Sequence, residues 1–192
     1  MTTHLDLLRH GDTGKRGFRG QLDDALSAAG WAQMRAAVAE GHWHAIVSSP
    51  LQRCAAFADE LATRRGLPMR VDPRLAEYHF GAWQGVAVET LADEQGDALT
   101  RFWADPVAHP PPGAESFAAF EARLLAACDT IAGEHQQRRV LVVTHGGPIR
   151  LLRCHAEGRG ISDMAGIDVP HASVHALQWP SFIAADAKTE DA

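Results

Sequence analysis

The sequence predicts an α/β protein whose helices cover both faces of a largely parallel central sheet. Short apolar runs alternate along the chain with longer stretches whose apolar residues recur at helical spacing. The run at residues 140–143, VLVV, is continuous and β-branched, as strands buried on both faces are. With 192 residues, the chain suits one domain whose core is large enough to fold without a disulfide or metal staple.

The elements follow in a regular order. Strands are predicted at residues 4–8, 45–48, 69–71, 140–143 and 174–179. Helices are predicted at residues 28–40, 50–65, 88–95, 98–103, 117–134 and 149–157, with the two near residue 95 either separate or joined. Ser27 and Ser116 are the expected N-caps of their helices, Ser49 and Pro50 the N-cap and first residue of another, which Gly66 ends. The tail at residues 184–192 is expected to be flexible.

Composition and charge exclude several classes of function. The formal net charge is −6, and no clustered basic face is visible, so we expect neither nucleic acid nor membrane as a partner. No segment approaches the roughly 18 apolar residues of a membrane span, and the N-terminus lacks a secretion signal. Cys54, Cys128 and Cys154 are odd in number and lack CxxC spacing, which favours a reducing compartment. We therefore expect a cytoplasmic protein.

Polar clusters follow three of the predicted strands. They are RHGDT at residues 9–13, SSPLQR at 48–53 and THGG at 144–147. Ligands of open α/β sheets bind beyond the carboxyl ends of the strands, so neighbouring strands would bring two arginines and two histidines to one pocket. Guanidinium groups and free N–H groups at helix starts suit a phosphate group. The glycines at 11, 146 and 147 would allow a close approach of the backbone.

These motifs resemble the signature of the histidine phosphatase (phosphoglycerate mutase-like) superfamily. The resemblance rests on Arg9-His10-Gly11, on Ser49-Pro50 with Arg53, and on His145-Gly146. It extends to residues 75–85, LAEYHFGAWQG, which are similar to the family's L-x-E-x-x-F-G-x-W-E-G segment, and to residues 113–116, GAES. The compact length and residues 20–27 look closest to the bacterial α-ribazole phosphatase-like branch. The resemblance implies a three-layer α/β/α sandwich spanning residues 1–183, with a small helical cap inserted at roughly 82–115.

The resemblance also implies a mechanism. His10 would be the nucleophile and form a phosphohistidine, while Arg9, Arg53 and His145 would bind the phosphate oxygens. Glu77 would be the general acid and then the general base, with His145 counted among the catalytic groups. The arginines supply the positive charge, so no metal or other cofactor is required. The expected partner is a small phosphorylated metabolite, with a homodimer left open.

Several assignments stay open at this point. Arg19, Trp83, Glu115 and Ser116 are candidates for substrate binding. Trp83, Phe102 and Trp103 either form the core of the cap, which is the favoured interpretation, or an apolar wall for an aromatic leaving group.

The expected activity is that of a phosphomonoesterase, with α-ribazole 5′-phosphate as the first candidate substrate. One alternative is phosphotransfer of the phosphoglycerate mutase type, which must shield the phosphohistidine from water. The other is a non-catalytic sensor of phosphorylated ligands on the same fold, which would not need a nucleophile together with an acid.

Overall fold

A five-stranded sheet lies at the centre of the structure, a computed structural model that describes residues 2–180. The strands are β1 (Thr3–Arg9), β2 (Ala45–Ser48), β3 (Met69–Val71), β4 (Arg139–Thr144) and β5 (Val174–Trp179). Their order is β3-β2-β4-β1-β5, and every neighbouring pair is parallel except the antiparallel pair of β1 and β5. The mostly parallel sheet predicted from the sequence is confirmed.

Residues 2–180 contain five α-helices. They are α1 (Ala28–Ala37), α2 (Gln52–Arg65), α3 (Val88–Ala104), α4 (Phe117–Glu134) and α5 (Gly146–Glu157). One-turn or short 3₁₀ helices occur at Pro73–Leu75, Gly81–Trp83 and Ile161–Gly166. None of the helices in residues 2–180 combines the length and the hydropathy that a membrane crossing requires.

Two hydrophobic clusters divide the helices between the faces of the sheet. Leu5, Leu7, Val140 and Val142 point into one cluster with α4 and α5, whereas alternate strand residues point into the other with α1 and α2. The three inner strands β1, β2 and β4 therefore bury both of their faces, which explains the continuous apolar run in β4. The predicted three-layer α/β/α architecture is confirmed.

The central pair of strands sets the position of the candidate site. β1 and β4 lie side by side in parallel, with Arg9 opposite Thr144. The chain continues this pairing one residue further, because the His10 N–H donates to the Thr144 carbonyl at 3.0 Å. His10 and His145 consequently leave adjacent strands at the same edge of the sheet, as the position rule for parallel sheets predicted.

Two helix starts differ from the sequence expectation. α2 begins at Gln52 with Leu51 as its N-cap, so the predicted N-cap role of Ser49 is wrong, although the Ser49 hydroxyl accepts from the Leu51 N–H at 3.3 Å. α5 begins at Gly146, earlier than predicted. The two short helices predicted after residue 88 are the two parts of α3, which meet at a kink at Gln95 (φ −138°, ψ 34°). The N-caps Ser27 and Ser116 are confirmed, with side chains that accept from Gly30 and Ala119 N–H groups.

Gly11 serves packing rather than a ligand. A Cβ at this position would overlap the backbone carbonyl of Gly30 in α1, and Gly11 does not line the cavity described below. The close approach predicted for this glycine therefore occurs between two protein segments. The tail predicted to be flexible, residues 184–192, lies outside the described residues.

Candidate active site

A cavity of about 270 Å³ opens at the carboxyl edge of the sheet. Charged groups line its inner end: Arg9, His10, Arg53, Glu77, Arg150 and His171. Aromatic and apolar side chains from the cap and from the loop after β1 line its outer part: Phe18, Phe80, Phe102, Trp103 and Met164. The sequence placed four of the six inner residues at one site, and the structure brings those four together.

His10 is held in a form that suits nucleophilic attack. Its Nδ1 lies 2.8 Å from the carbonyl oxygen of Gly11, which assigns the proton to Nδ1 and leaves the Nε2 lone pair free. Burial, with the charges of Arg53 and Arg9, lowers the pKa of His10 to about 3, although the hydrogen bond to Gly11 opposes this shift. At neutral pH the ring is therefore uncharged and one nitrogen is available to a substrate.

The two arginines present donors to the same space. Arg53 is buried, and its guanidinium donates to the carbonyl oxygens of Gly20 and Leu22 at 2.6 Å each. These bonds fix the planar group and leave further N–H groups for a ligand. Arg9 directly precedes His10 in the chain, and its buried Nε has no hydrogen-bond partner among residues 2–180. An anion would satisfy that donor.

His145 is fully buried behind Arg53. Its Nε2 lies 2.6 Å from the Ser49 hydroxyl, and its Nδ1 accepts from the Arg53 Nε–H at 3.2 Å. The His145 ring also meets the His10 ring edge to face, with centroids 5.2 Å apart. Both nitrogens thus contact protein groups, so the geometry makes His145 a positioning residue for Arg53. Its direct contact with phosphate stays a prediction.

Glu77 faces the cavity from the segment after β3. One carboxylate oxygen accepts from the Tyr78 N–H at 2.9 Å, and the other accepts from the Gly147 N–H in the first turn of α5 at 3.2 Å. The start of α5 therefore holds the carboxylate in the same cavity as His10. This placement is what the predicted acid–base role of Glu77 requires.

The predicted substrate-binding set is only partly in the cavity. Arg19 lines it, and its guanidinium makes two hydrogen bonds to Asp24 at 2.7 and 3.0 Å. Trp83 is only 2% exposed and donates to Gln95 at the kink of α3 at 3.2 Å, so it belongs to the core of the cap. Its assignment to substrate is wrong.

Glu115 and Ser116 also have structural roles. The carboxylate of Glu115 pairs with Arg123 at 2.7 Å and accepts from the His79 N–H at 2.8 Å. Ser116 caps α4. Neither side chain lines the cavity, so the assignment of both residues to substrate is corrected. Arg123 lies half-buried beside the Glu77 segment and also donates to the Glu77 carbonyl at 3.0 Å, so this ion pair supports the segment that carries the acid.

The aromatic residues of the cap divide between the two interpretations left open above. Phe102 and Trp103 line the cavity, and Trp103 is 45% exposed. Phe18, which the sequence analysis did not single out, packs against Phe80 at 4.6 Å and Trp103 at 5.8 Å between ring centroids. These rings form a continuous apolar wall opposite the charged end of the cavity.

Sequence reasoning missed three polar residues of the site. His171 precedes β5, Arg150 lies in α5, and Ser49 holds His145 from the end of β2. His171 and His175 have HxxxH spacing in the sequence, and this local pattern does not indicate a place beside His10. Within residues 2–180, no three His, Cys, Asp or Glu side chains cluster as a metal ion would need, and the absence of a metal from the reaction stays a prediction.

Acid is expected to destabilise the fold because His10 and His145 are neutral when folded. Burial lowers the pKa of both below the ordinary value of 6.5, so below that pH the unfolded chain binds more protons than the folded one. Stability should be constant above about pH 6.5 and fall by about 1.4 kcal/mol per pH unit for each such histidine below it. Urea unfolding between about pH 7 and 5 measures this slope, above the range where most carboxylates titrate. The variant His10→Asn should show a smaller slope, and an unchanged free energy of unfolding across this range would contradict the buried neutral state.

The fold and the site together define an α/β protein that can hold a phosphoryl group between two guanidinium groups and an uncharged histidine. The family model of the histidine phosphatase superfamily (branch 1) matches residues 5–181 of the chain. This protein therefore belongs to the histidine phosphatase superfamily, as its motifs indicated.

Several known proteins are similar to the chain. A bifunctional protein of Mycobacterium tuberculosis is 38% identical over 157 residues, which cover 78% of this chain and 43% of that protein. The chain thus spans less than half the length of the first curated relatives it matches. The native structure of a mycobacterial glucosyl-3-phosphoglycerate phosphatase is 31% identical with a TM-score of 0.80, covering 90% of this chain and 88% of that one. An α-ribazole phosphatase from Shigella flexneri is 24% identical with a TM-score of 0.76, covering 90% and 89%, and shows a shared fold.

Proposed function

We propose that this chain hydrolyses a small phosphomonoester in two steps through a phosphohistidine on His10. The observation that carries the proposal is the neutral His10, with Nδ1 anchored on Gly11 and Nε2 free, in one cavity with Glu77 and two guanidinium groups. A sensor of phosphorylated ligands would need the arginines but has no use for a nucleophile and an acid placed together.

In the first step Nε2 of His10 attacks phosphorus and the bond from phosphorus to the ester oxygen breaks. Glu77, in its carboxyl form, gives its proton to the leaving oxygen, and Arg9 and Arg53 neutralise the charge on the other oxygens. In the second step water attacks the phosphohistidine, Glu77 takes a proton from that water, and His10 leaves as the neutral ring. Glu77 thereby returns to its carboxyl form, and phosphate is released.

The outer part of the cavity supports a leaving group with a flat apolar portion. Phe18, Phe102 and Trp103 line this part, and aromatic walls favour aromatic ligands through stacking and burial of apolar area. α-Ribazole 5′-phosphate, which carries an aromatic base, is the first candidate for this reason rather than because of the shared fold. Glucosyl-3-phosphoglycerate, the substrate named for a similar protein, is the polar comparison.

Phosphate release from a panel of phosphomonoesters tests the proposal. The panel contains α-ribazole 5′-phosphate, glucosyl-3-phosphoglycerate, phosphoserine, 3-phosphoglycerate and p-nitrophenyl phosphate, assayed in EDTA. The aromatic esters should have the highest kcat/KM, and water should receive the phosphoryl group. Transfer of phosphate to a second substrate molecule would favour the mutase alternative, and binding without release would favour the sensor.

Trp103→Ala is expected to weaken binding of aromatic substrates. The side chain is 45% exposed at the cavity rim, so its removal should leave the fold intact and remove one stacking surface. KM for an aromatic ester should rise about tenfold, corresponding to about 1.4 kcal/mol of lost stacking and apolar contact, with phosphoserine unaffected. Trp31→Ala, a change to a partly exposed tryptophan of α1 outside the cavity, is the matched control. An equal loss on both substrate types would argue against an aromatic subsite.

Gly147→Ala is expected to displace the acid while preserving the fold. A Cβ at this position would overlap the Glu77 Oε1, the mobile end of a side chain, so the carboxylate must move away from the start of α5. Phosphate release should fall by about 10²-fold, because general acid–base catalysis contributes on that order and depends on placement. The measurement is kcat on an alkyl phosphate beside the unfolding midpoint. Gly133→Ala in α4, where a Cβ would meet nothing within 4 Å, is the control, and an unchanged kcat for Gly147→Ala would contradict the assigned position of Glu77.

A further inference from the structure

His171 lies against the nucleophile on the side of the sheet edge formed by β5. The His171 and His10 ring centroids are 5.5 Å apart, and His171 is an exposed side chain that lines the cavity. The backbone fixes this position, because the Ala172 N–H donates to the His10 carbonyl at 3.2 Å and Ala172 adopts a left-handed φ of 58°. The loop before β5 therefore presents an imidazole to the same space as the two arginines.

The ring nitrogens of His171 are free to take a ligand. Neither nitrogen hydrogen-bonds to any of residues 2–180, whereas His10 uses its Nδ1 and His145 uses both of its ring nitrogens. The groups that face His171 are Arg9 and His10 from β1 and its end, and Asp12 from the following loop, with Lys15 on the cavity rim. The Asp12 carboxylate already accepts from Ser27 at 2.6 Å and from the Gly14 N–H at 2.9 Å, so it is only a partial counter-charge for His171.

We propose that His171 is a further side chain that faces the phosphate. It takes up a proton when a dianion enters the cavity and then donates an N–H to that dianion. The proposal deepens the proposed function and rests on its phosphate site. In the empty cavity, burial and the charge of Arg9 lower the pKa of His171, while Asp12 opposes them. A bound dianion reverses the sign of the local field, which favours the charged ring.

This coupling has a consequence for binding that no fixed charge would produce. Because one extra proton enters with the ligand, a dianion should bind more tightly below neutral pH than above it. A charge-assisted hydrogen bond is worth about tenfold or more in affinity, which sets the size of the effect. The arginines carry the same charge throughout this range and cannot account for such a dependence.

Sulfate binding measured by calorimetry at about pH 6 and about pH 8 tests the proposal, because sulfate stays a dianion across this range while the ordinary pKa of a histidine lies within it. Titrations in two buffers of different protonation enthalpy count the protons taken up. The wild-type protein should bind about tenfold more tightly at the lower pH, with uptake approaching one proton. His171→Gln should bind sulfate with less than about a threefold difference between the two pH values.

Two further variants identify which histidine takes up the proton. His175→Gln is the matched control, because His175 lies on β5 four residues away and, like His171, has its pKa lowered by burial, but does not line the cavity. It should behave as the wild type does. His10→Asn should retain the pH dependence if His171 is its source. Uptake that survives in His171→Gln, or that disappears only in His10→Asn, overturns the role of His171 and leaves the phosphate site standing. Absence of sulfate and phosphate binding to the wild-type protein overturns this inference and the proposed function together.

Discussion

Replacing His10 with asparagine is expected to abolish phosphate release while leaving the fold and the anion site in place. Removal of a nucleophile typically costs roughly 10⁴–10⁶-fold in kcat. Asparagine is close to histidine in size and its amide can still donate to the Gly11 carbonyl, which Nδ1 contacts at 2.8 Å in the native protein. The measurement is single-turnover release of phosphate from p-nitrophenyl phosphate, at enzyme concentrations that exceed the substrate.

The matched control for this variant is His175→Asn, a change of the same type on β5 outside the cavity. It should retain wild-type release. Sulfate binding to His10→Asn should stay within about tenfold of the wild type, because Arg9 and Arg53 remain. Release by His10→Asn within a factor of about ten of the wild type would show that another group attacks phosphorus.

Replacing Glu77 with glutamine is expected to separate the two steps of the reaction. Glutamine can still accept from the Gly147 N–H, which lies 3.2 Å from the carboxylate, but it can neither give nor take the catalytic proton. On alkyl phosphates kcat should fall by about 10²–10⁴-fold. On p-nitrophenyl phosphate the leaving phenolate needs little protonation, so the first step should survive and the second, which needs a base for water, should become slow.

The expected signature of Glu77→Gln is therefore a burst of nitrophenolate that matches the enzyme concentration, followed by a slow steady state. Glu115→Gln is a useful comparison because Glu115 pairs with Arg123 beneath the same segment and does not line the cavity. The Glu115→Gln substitution should change the free energy of unfolding more than it changes the size of the nitrophenolate burst. Equal losses for Glu77→Gln on alkyl and aryl esters, without a burst, would show that Glu77 is not the proton donor to the leaving group.

Local sequence patterns were sufficient for the fold. The apolar runs of β1, β2 and β4 and the stripes of α2 and α4 each point to the same layered arrangement, and the position rule for parallel sheets then brings Arg9, Arg53 and His145 to one edge. Helix starts were less predictable. Ser49 before Pro50 is typical of an N-cap, but α2 begins only at Gln52, and the Ser49 hydroxyl lies 2.6 Å from His145 Nε2 while it accepts from the Leu51 N–H at 3.3 Å.

The remaining errors concern residues whose neighbours are distant in sequence. Trp83 and Glu115 lie in segments typical of the family, yet their partners, Gln95 and Arg123, make them structural, and no local pattern shows that pairing. His171 was missed because its neighbour in the site, His10, is also distant in sequence. Its importance comes from the antiparallel register of β5 on β1, which brings residue 171 beside residue 10.

The most direct test of the account is the mass of the protein quenched during turnover, followed by mapping of the modified residue. Glu77→Gln in the presence of p-nitrophenyl phosphate is the best sample, because its phosphorylated form should accumulate. The account predicts the added mass of one phosphoryl group, lost in acid, on His10, and its absence from the His10→Asn protein. A phosphoryl group on another residue, or a full burst of nitrophenolate without any phosphorylated protein, would contradict it.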